Sequence, residues 1–170
     1  LTQAEARPQL QFELPAGVEG VRETLKIMRR LVRHGRSEPL VRATAVALVS
    51  HVDQKDWAGE VAAVFAYVQG HVRFLRDINE VETLHSATAV IEQAAGDCDD
   101  KMILLAALLE TIGYPTRLVA MGFAPGDFSH VILEVRLRGN WVPLDPSEPY
   151  PAGWTPPDQR ERMLISNGDA

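Results

Sequence analysis

One cysteine, Cys98, is all the thiol this 170-residue chain contains, which excludes an internal disulfide and any CxxC zinc or redox motif. A reducing compartment fits that usage. Basic residues are outnumbered, 17 Lys and Arg against 23 Asp and Glu, for a formal charge of −6. That balance argues against a nucleic-acid binder led by phosphate contacts. No apolar run approaches the ~20 residues that a membrane-spanning helix needs. His34, His51, His71 and His85 show no HxxxH or HExxH spacing, so no metal site is expected. Internal repeats and low-complexity tracts are missing. Leu1 rather than Met opens the chain, as after removal or trimming of a leader. What is present is ordinary for a globular protein: 46% apolar and 24% charged residues, in a length that can bury a core without a disulfide or metal staple.

The apolar pattern is helical first and strand-like later. Residues 1–17 are polar and proline-punctuated, with a short alternating stretch over 9–14 expected as an edge strand. Val18, Val21, Leu25, Met28 and Val32 then recur at three- and four-residue steps, with Gly35 where a helix would stop. Ser37 is expected to cap a second helix with Pro39 in its first turn. Trp57, Val61, Val64, Phe65, Val68 and Val72 form the stripe of a third. Ser86 is expected to cap a short helix ending at Gln93. From Met102 to Ile112 nearly every residue is apolar, the signature of a helix buried on all sides, its first turn at Cys98 to Lys101. Beyond Gly113 and Pro115 the period becomes two: a strand over 118–123, a turn at Pro125-Gly126-Asp127, then Val131, Leu133, Val135 and Leu137 alternating with polar neighbours. A hairpin near Gly139 returns through Trp141 to Asp145. The proline-rich last 25 residues are expected as an extended covering segment, with Trp154 as anchor. The fold class is α+β. The divisions are an extended segment over 1–17, helices over 18–56, a core over 57–146 and a tail over 147–170, all in one domain.

A thiol at the start of a buried helix sits where unpaired N–H groups and the helix dipole favour an anion, which lowers a cysteine pKa below its free value of about 8.5. The same N–H groups suit an oxyanion, and Gly96 permits close approach of substrate or backbone. Such a nucleophile needs a base with an orienter. His130 begins one strand of the hairpin and Asp145 ends the other. A two-residue turn at Arg138-Gly139 or Gly139-Asn140 puts residues 130, 132, 134 and 136 on one face with 141, 143 and 145. The apolar residues then share the other face. Asp145 falls two or four residues short of His130, about 7–13 Å at the usual strand rise, a gap for a bulge, twist or bend to close.

Gly96-Asp97-Cys98-Asp99-Asp100, the apolar helix after it, "IGYPTRLVAMG" and "SHVILEVRLRGNWVPLDPS" resemble the core of the transglutaminase-like superfamily. Upstream "VRFLRD" and Glu82 are similar to the lead-in of small bacterial and prophage-encoded members. The resemblance spans about Trp57 to Pro146. It implies a papain-like fold and a Cys–His–Asp triad, with Cys98, His130 and Asp145 at the three family positions in family order. It also implies thiol acyl chemistry on an amide carbonyl, passing the acyl group to water or to an amine. Gly96, Gln93 and Trp141 are the residues expected to contact the substrate or its oxyanion.

Several residues carry competing readings. Asp97, Asp99 and Asp100 oppose thiolate formation, though Asp99 and Asp100 also complement a helix N-terminus. The acidic run is not an EF-hand loop, since Lys101 and Met102 stand where a ligand and glycine belong. Lys26, Arg29, Arg30, Arg33 and Arg36 are expected as a solvated basic stripe, and Trp57 as core. The expected function is a cysteine peptidase, amidase or acyltransferase with no cofactor, a protein or peptide substrate, and no nucleic-acid or membrane partner. Its expected location is the bacterial cytoplasm, or a virion if prophage-encoded. The alternative is a non-catalytic interaction or virion-associated module that keeps the fold.

Overall fold

A computed structural model describes residues 10–11, 16–75 and 83–166. In chain order it has β1 (Leu10–Gln11), α1 (Val18–Gly35), α2 (Pro39–Val49), α3 (Trp57–His71), β2 (Arg73–Phe74), β3 (Thr83–Leu84), α4 (Ala87–Gln93), β4 (Ala95–Gly96) and α5 (Cys98–Thr111). Strands β5 (Thr116–Ala124), β6 (Asp127–Leu137), β7 (Asn140–Leu144) and β8 (Glu161–Ile165) follow. Of the expected edge strand only Leu10–Gln11 falls within the described residues, paired antiparallel with β3. Arg76, Asp77 and Glu82, part of the family lead-in, lie outside them.

Packing is organised around α5. Every side chain from Met102 to Leu109 is fully buried, in contact with α1, α2, α3, α4 and the sheet. A sequence apolar on all sides can be stable in water only at the centre of other elements. The helix stops where Gly113 turns at φ +96° and Tyr114 N–H closes on the Leu109 carbonyl at 3.0 Å. Leu104 has no exposed surface, so Leu104→Ala leaves a cavity that the surrounding elements cannot close. It should lower unfolding free energy in urea by about 2–5 kcal/mol.

The four-stranded sheet has the antiparallel order β7-β6-β5-β8. Leu118, Ala120, Val131, Leu133, Val135 and Leu144 join the helices in the main core, while Val119, Met121 and Ile132 form a small cluster of their own. The β6–β7 register pairs Leu137 with Asn140, Val135 with Val142 and Leu133 with Leu144. The turn is thus the two residues Arg138-Gly139, at φ 48° and 85°, as a tight hairpin requires.

Three expectations, on Ser37, the basic stripe of α1 and Trp57, are corrected. Glu38, not Ser37, precedes α2, and no side chain caps that helix; Pro39 at its start has no N–H to satisfy. Within the tail, Glu161–Ile165 adds β8 to the sheet and buries Met163 and Ile165. Trp154 stacks on Tyr150 at 4.1 Å. Arg29 is 0% exposed, its guanidinium 2.7 Å from Glu110 Oε1 and 2.9 Å from Oε2, so the basic stripe of α1 is not uniformly solvated. Trp57 is 45% exposed, with the Arg138 guanidinium 5.2 Å from its ring centroid.

Candidate active site

The site forms where α5 begins and where β7 stops pairing. Asp97 caps α5, its Oδ1 accepting from Asp100 N–H at 2.9 Å, so Cys98 is the first helical residue. Its half-buried thiol lies 3.6 Å from Asp99 Oδ1. On the sheet, Met121 pairs with His130 but Gly122 pairs with Phe128. Ser129 is therefore an extra residue, a bulge of the kind that re-aims a neighbouring side chain. β7 ends at Leu144 opposite Leu133, so β6 has no β7 partner from there back to His130. Asp145 leaves the ladder at that point, two residues short of facing His130. Beyond the ladder the gap is closed: His130 Nε2 and Asp145 Oδ2 are 2.7 Å apart. Asp145 is 3% exposed, and its second oxygen accepts from Ser147 N–H at 3.1 Å.

A cavity of about 540 Å³ joins these elements. Cys98, Asp97 and Asp99 line it from α5; Phe128, Ser129, His130 and Val131 from β6; Val21, Thr24, Leu25 and Met28 from α1; Ser147 and Glu148 from the segment after β7. Gln69 Nε2 donates to the carbonyls of Glu148 (2.7 Å) and Tyr150 (2.9 Å), holding that last wall against α3.

Electrostatics at the thiol run against the expected direction. Burial pushes the Cys98 pKa up, and the carboxylates of Asp99 and Asp97 push it further, because each disfavours a new negative charge. At neutral pH the resting group is a thiol.

The other expected contacts are not gathered into the cavity. Gln93, the last residue of α4, is exposed, and Ala94 turns the chain away at φ 49°. Trp141 carries the Arg117 guanidinium 4.3 Å from its ring centroid. Neither lines the cavity. Gly96 is buried in β4, paired in parallel with β2, and a Cβ there would stand 2.6 Å from Asp100 Cβ. Its smallness admits the Asp100 side chain of α5, not a substrate.

Sequence reasoning missed two links. Asp100 is 2% exposed; its Oδ1 accepts from His85 N–H and its Oδ2 lies against His85 Nδ1, both at 2.8 Å. Burial raises the Asp100 pKa and the contacts with His85 oppose that rise. This pair ties the start of α5 to the segment before α4. The second link runs from Lys101 Nζ to the Pro146 carbonyl, at 3.1 Å. Neither has a signal in spacing, because each joins residues far apart in the chain. Among the described residues, no three His, Cys, Asp or Glu side chains cluster to hold a metal ion. None of the helices described is long and apolar enough to cross a membrane.

A buried helix opening on cysteine, set against an antiparallel sheet that carries a bonded His–Asp pair, defines a class. A sequence profile of the transglutaminase-like superfamily matches residues 42–146, and the chain belongs to that superfamily. No curated protein matches it by sequence. Its fold is similar to that of LapG from Legionella pneumophila, in a calcium-bound structure at 16% identity, with 85% of this chain and 88% of LapG covered and a TM-score of 0.57. It is also similar to a provisionally designated cysteine protease from Cytophaga hutchinsonii at 20% identity and a TM-score of 0.52. That match covers 75% of this chain and 46% of the other, so this chain spans about half the length of that protein.

Proposed function

We propose that the protein is a cysteine-dependent acyl-transfer enzyme acting on amide or peptide bonds of a protein or peptide substrate, with hydrolysis as its main outcome. The observation that carries this reading is that Cys98, at the start of α5, lines one cavity with His130, whose ring is bonded to Asp145. An ionised carboxylate only accepts, so Nε2 carries the proton in that bond and Nδ1 is left with its lone pair. His130 then acts as base through Nδ1. Because the resting sulfur is protonated, proton transfer to Nδ1 accompanies attack of Sγ on the carbonyl carbon. The tetrahedral oxyanion is met by the Cys98 backbone N–H at the helix start. Its collapse expels the amine, which takes the proton from His130, and leaves a thioester. Water, deprotonated by the same nitrogen, then releases the acid. Asp145 orients the ring and balances its charge while it is an imidazolium. Water is preferred as acceptor because it is always present, whereas transfer needs a site that holds the amine and excludes water. The location proposed is the bacterial cytoplasm, or a virion if the gene is phage-borne.

One observation favours a second reading, a non-catalytic module that keeps the fold: burial and two carboxylates hold the thiol neutral. Peptide mixtures from a bacterial proteome, incubated with wild type or Cys98→Ala in the presence of a labelled primary amine, separate the readings. New peptide termini from wild type alone are expected. Amine incorporation without new termini would replace hydrolysis with transfer, and neither product would leave the non-catalytic module.

A further inference from the structure

α5 holds a buried cation that the acyl-transfer chemistry above does not use. Lys101 lies one helical turn beyond Cys98 and is 3% exposed. Burial pushes its pKa down, and the charge of Asp145 works in the opposite sense. An ammonium withdrawn from water is costly, and a hydrophobe of the same shape is often as stable or more so. A lysine at this depth is therefore better explained by what it holds than by what it adds to stability. Its Nζ donates to the Pro146 carbonyl at 3.1 Å. Pro146 directly follows Asp145, whose two oxygens are taken by His130 Nε2 and Ser147 N–H. Asp145 has left the ladder by this point, since β7 ends at Leu144, so sheet hydrogen bonds do not place it.

We propose that Lys101 is a positioning residue: through Pro146 it ties the turn bearing Asp145 to the helix bearing Cys98, so that the nucleophile and the His130–Asp145 pair keep a fixed spacing. The inference rests on the acyl-transfer reading for its consequence in catalysis, but not for the tether itself. Without the tether, the turn after Asp145 is still held to α3 through Gln69, but it has lost its direct bond to α5 and its spacing from Cys98 loosens. The loss then falls on steps that need aligned groups, and not on substrate binding.

The test is Lys101→Met, which keeps length and removes the charge and the donors. Expected are a melting temperature close to wild type, loss or broadening of the strongly deshielded ring proton that His130 shares with Asp145 in the proton NMR spectrum, and a kcat lower by about tenfold or more with KM little changed. Lys101→Arg, which retains a cation and donors, should restore the ring-proton signal at least in part. A ring proton and kcat both unchanged in Lys101→Met would overturn the proposal. Should Lys101→Met not fold, nitrogen NMR of wild type decides: a protected, slowly exchanging Lys101 ammonium supports the tether, and one exchanging like a surface lysine overturns it. A wild type without activity whose ring proton still depends on Lys101 would retire the enzyme and keep the tether.

Discussion

Cys98→Ala should reduce amide hydrolysis by a factor of about 10⁴ or more, with little change in stability, since the thiol is the only atom lost. His130→Ala should cost a similar factor. The double variant should be no worse than either, because nucleophile and base act as one unit and their losses do not add. The neutral resting thiol sharpens the expectation for His130. A pre-formed thiolate would retain some reactivity without its base, whereas a thiol loses its route to the nucleophilic form. Steady-state kinetics on one cleaved peptide across the four proteins reads this directly. Independent, multiplying losses would remove the common role of the two residues.

The second large effect concerns Asp99. Its Oδ1 lies 3.6 Å from the sulfur, and its charge is among the causes that raise the thiol pKa, after burial. Asp99→Asn removes that charge and keeps the shape. The thiol pKa falls, so the alkylation profile moves to lower pH and the iodoacetamide rate at pH 8 should rise by about an order of magnitude, one pKa unit being about tenfold in thiolate. Stability follows the same sign. The folded thiol titrates above the unfolded one, so its contribution is complete below about pH 8.5 and is lost as pH rises toward the folded value, at a slope of up to about 1.4 kcal/mol per pH unit. Asp99→Asn should flatten that alkaline decline. An alkylation profile unmoved by the substitution would remove Asp99 from the causes and leave burial and Asp97.

The parts of the fold legible in the sequence are those where burial imposes a period. The α5 run reads as a buried helix because eight consecutive fully buried side chains leave no polar face. The parity of the hairpin is legible because Val131, Leu133 and Val135 must share a face with Val142 and Leu144, which a two-residue turn allows; the choice between Arg138-Gly139 and Gly139-Asn140 is not, since both turns keep that parity. Strand β8 is short and lies at the sheet edge beyond the proline-rich stretch, where only Met163 and Ile165 are buried, too few to impose a readable period. The two-residue ladders joining β1 to β3 and β2 to β4 are too short to carry any period. At the site, parity puts His130 and Asp145 on one face but cannot supply the 2.7 Å approach that they make once the chain has left the ladder after Leu144. Gln93 and Trp141 looked close to the chemistry by chain position, yet one ends an exposed helical turn and the other meets Arg117 across the sheet. The roles of Asp100 and Lys101 depend on His85 and Pro146, partners that no local pattern names.

Direct capture of the acyl-enzyme is the most decisive measurement. The protein is mixed with a slowly deacylating activated ester of a peptide acid, quenched in acid, digested and weighed by mass spectrometry. The expected result is one acyl group on the peptide containing Cys98, labile to hydroxylamine as a thioester is, and greatly diminished in His130→Ala. An unmodified Cys98 in the wild type, under conditions where the same ester acylates a known cysteine peptidase, would contradict a nucleophilic role for this thiol.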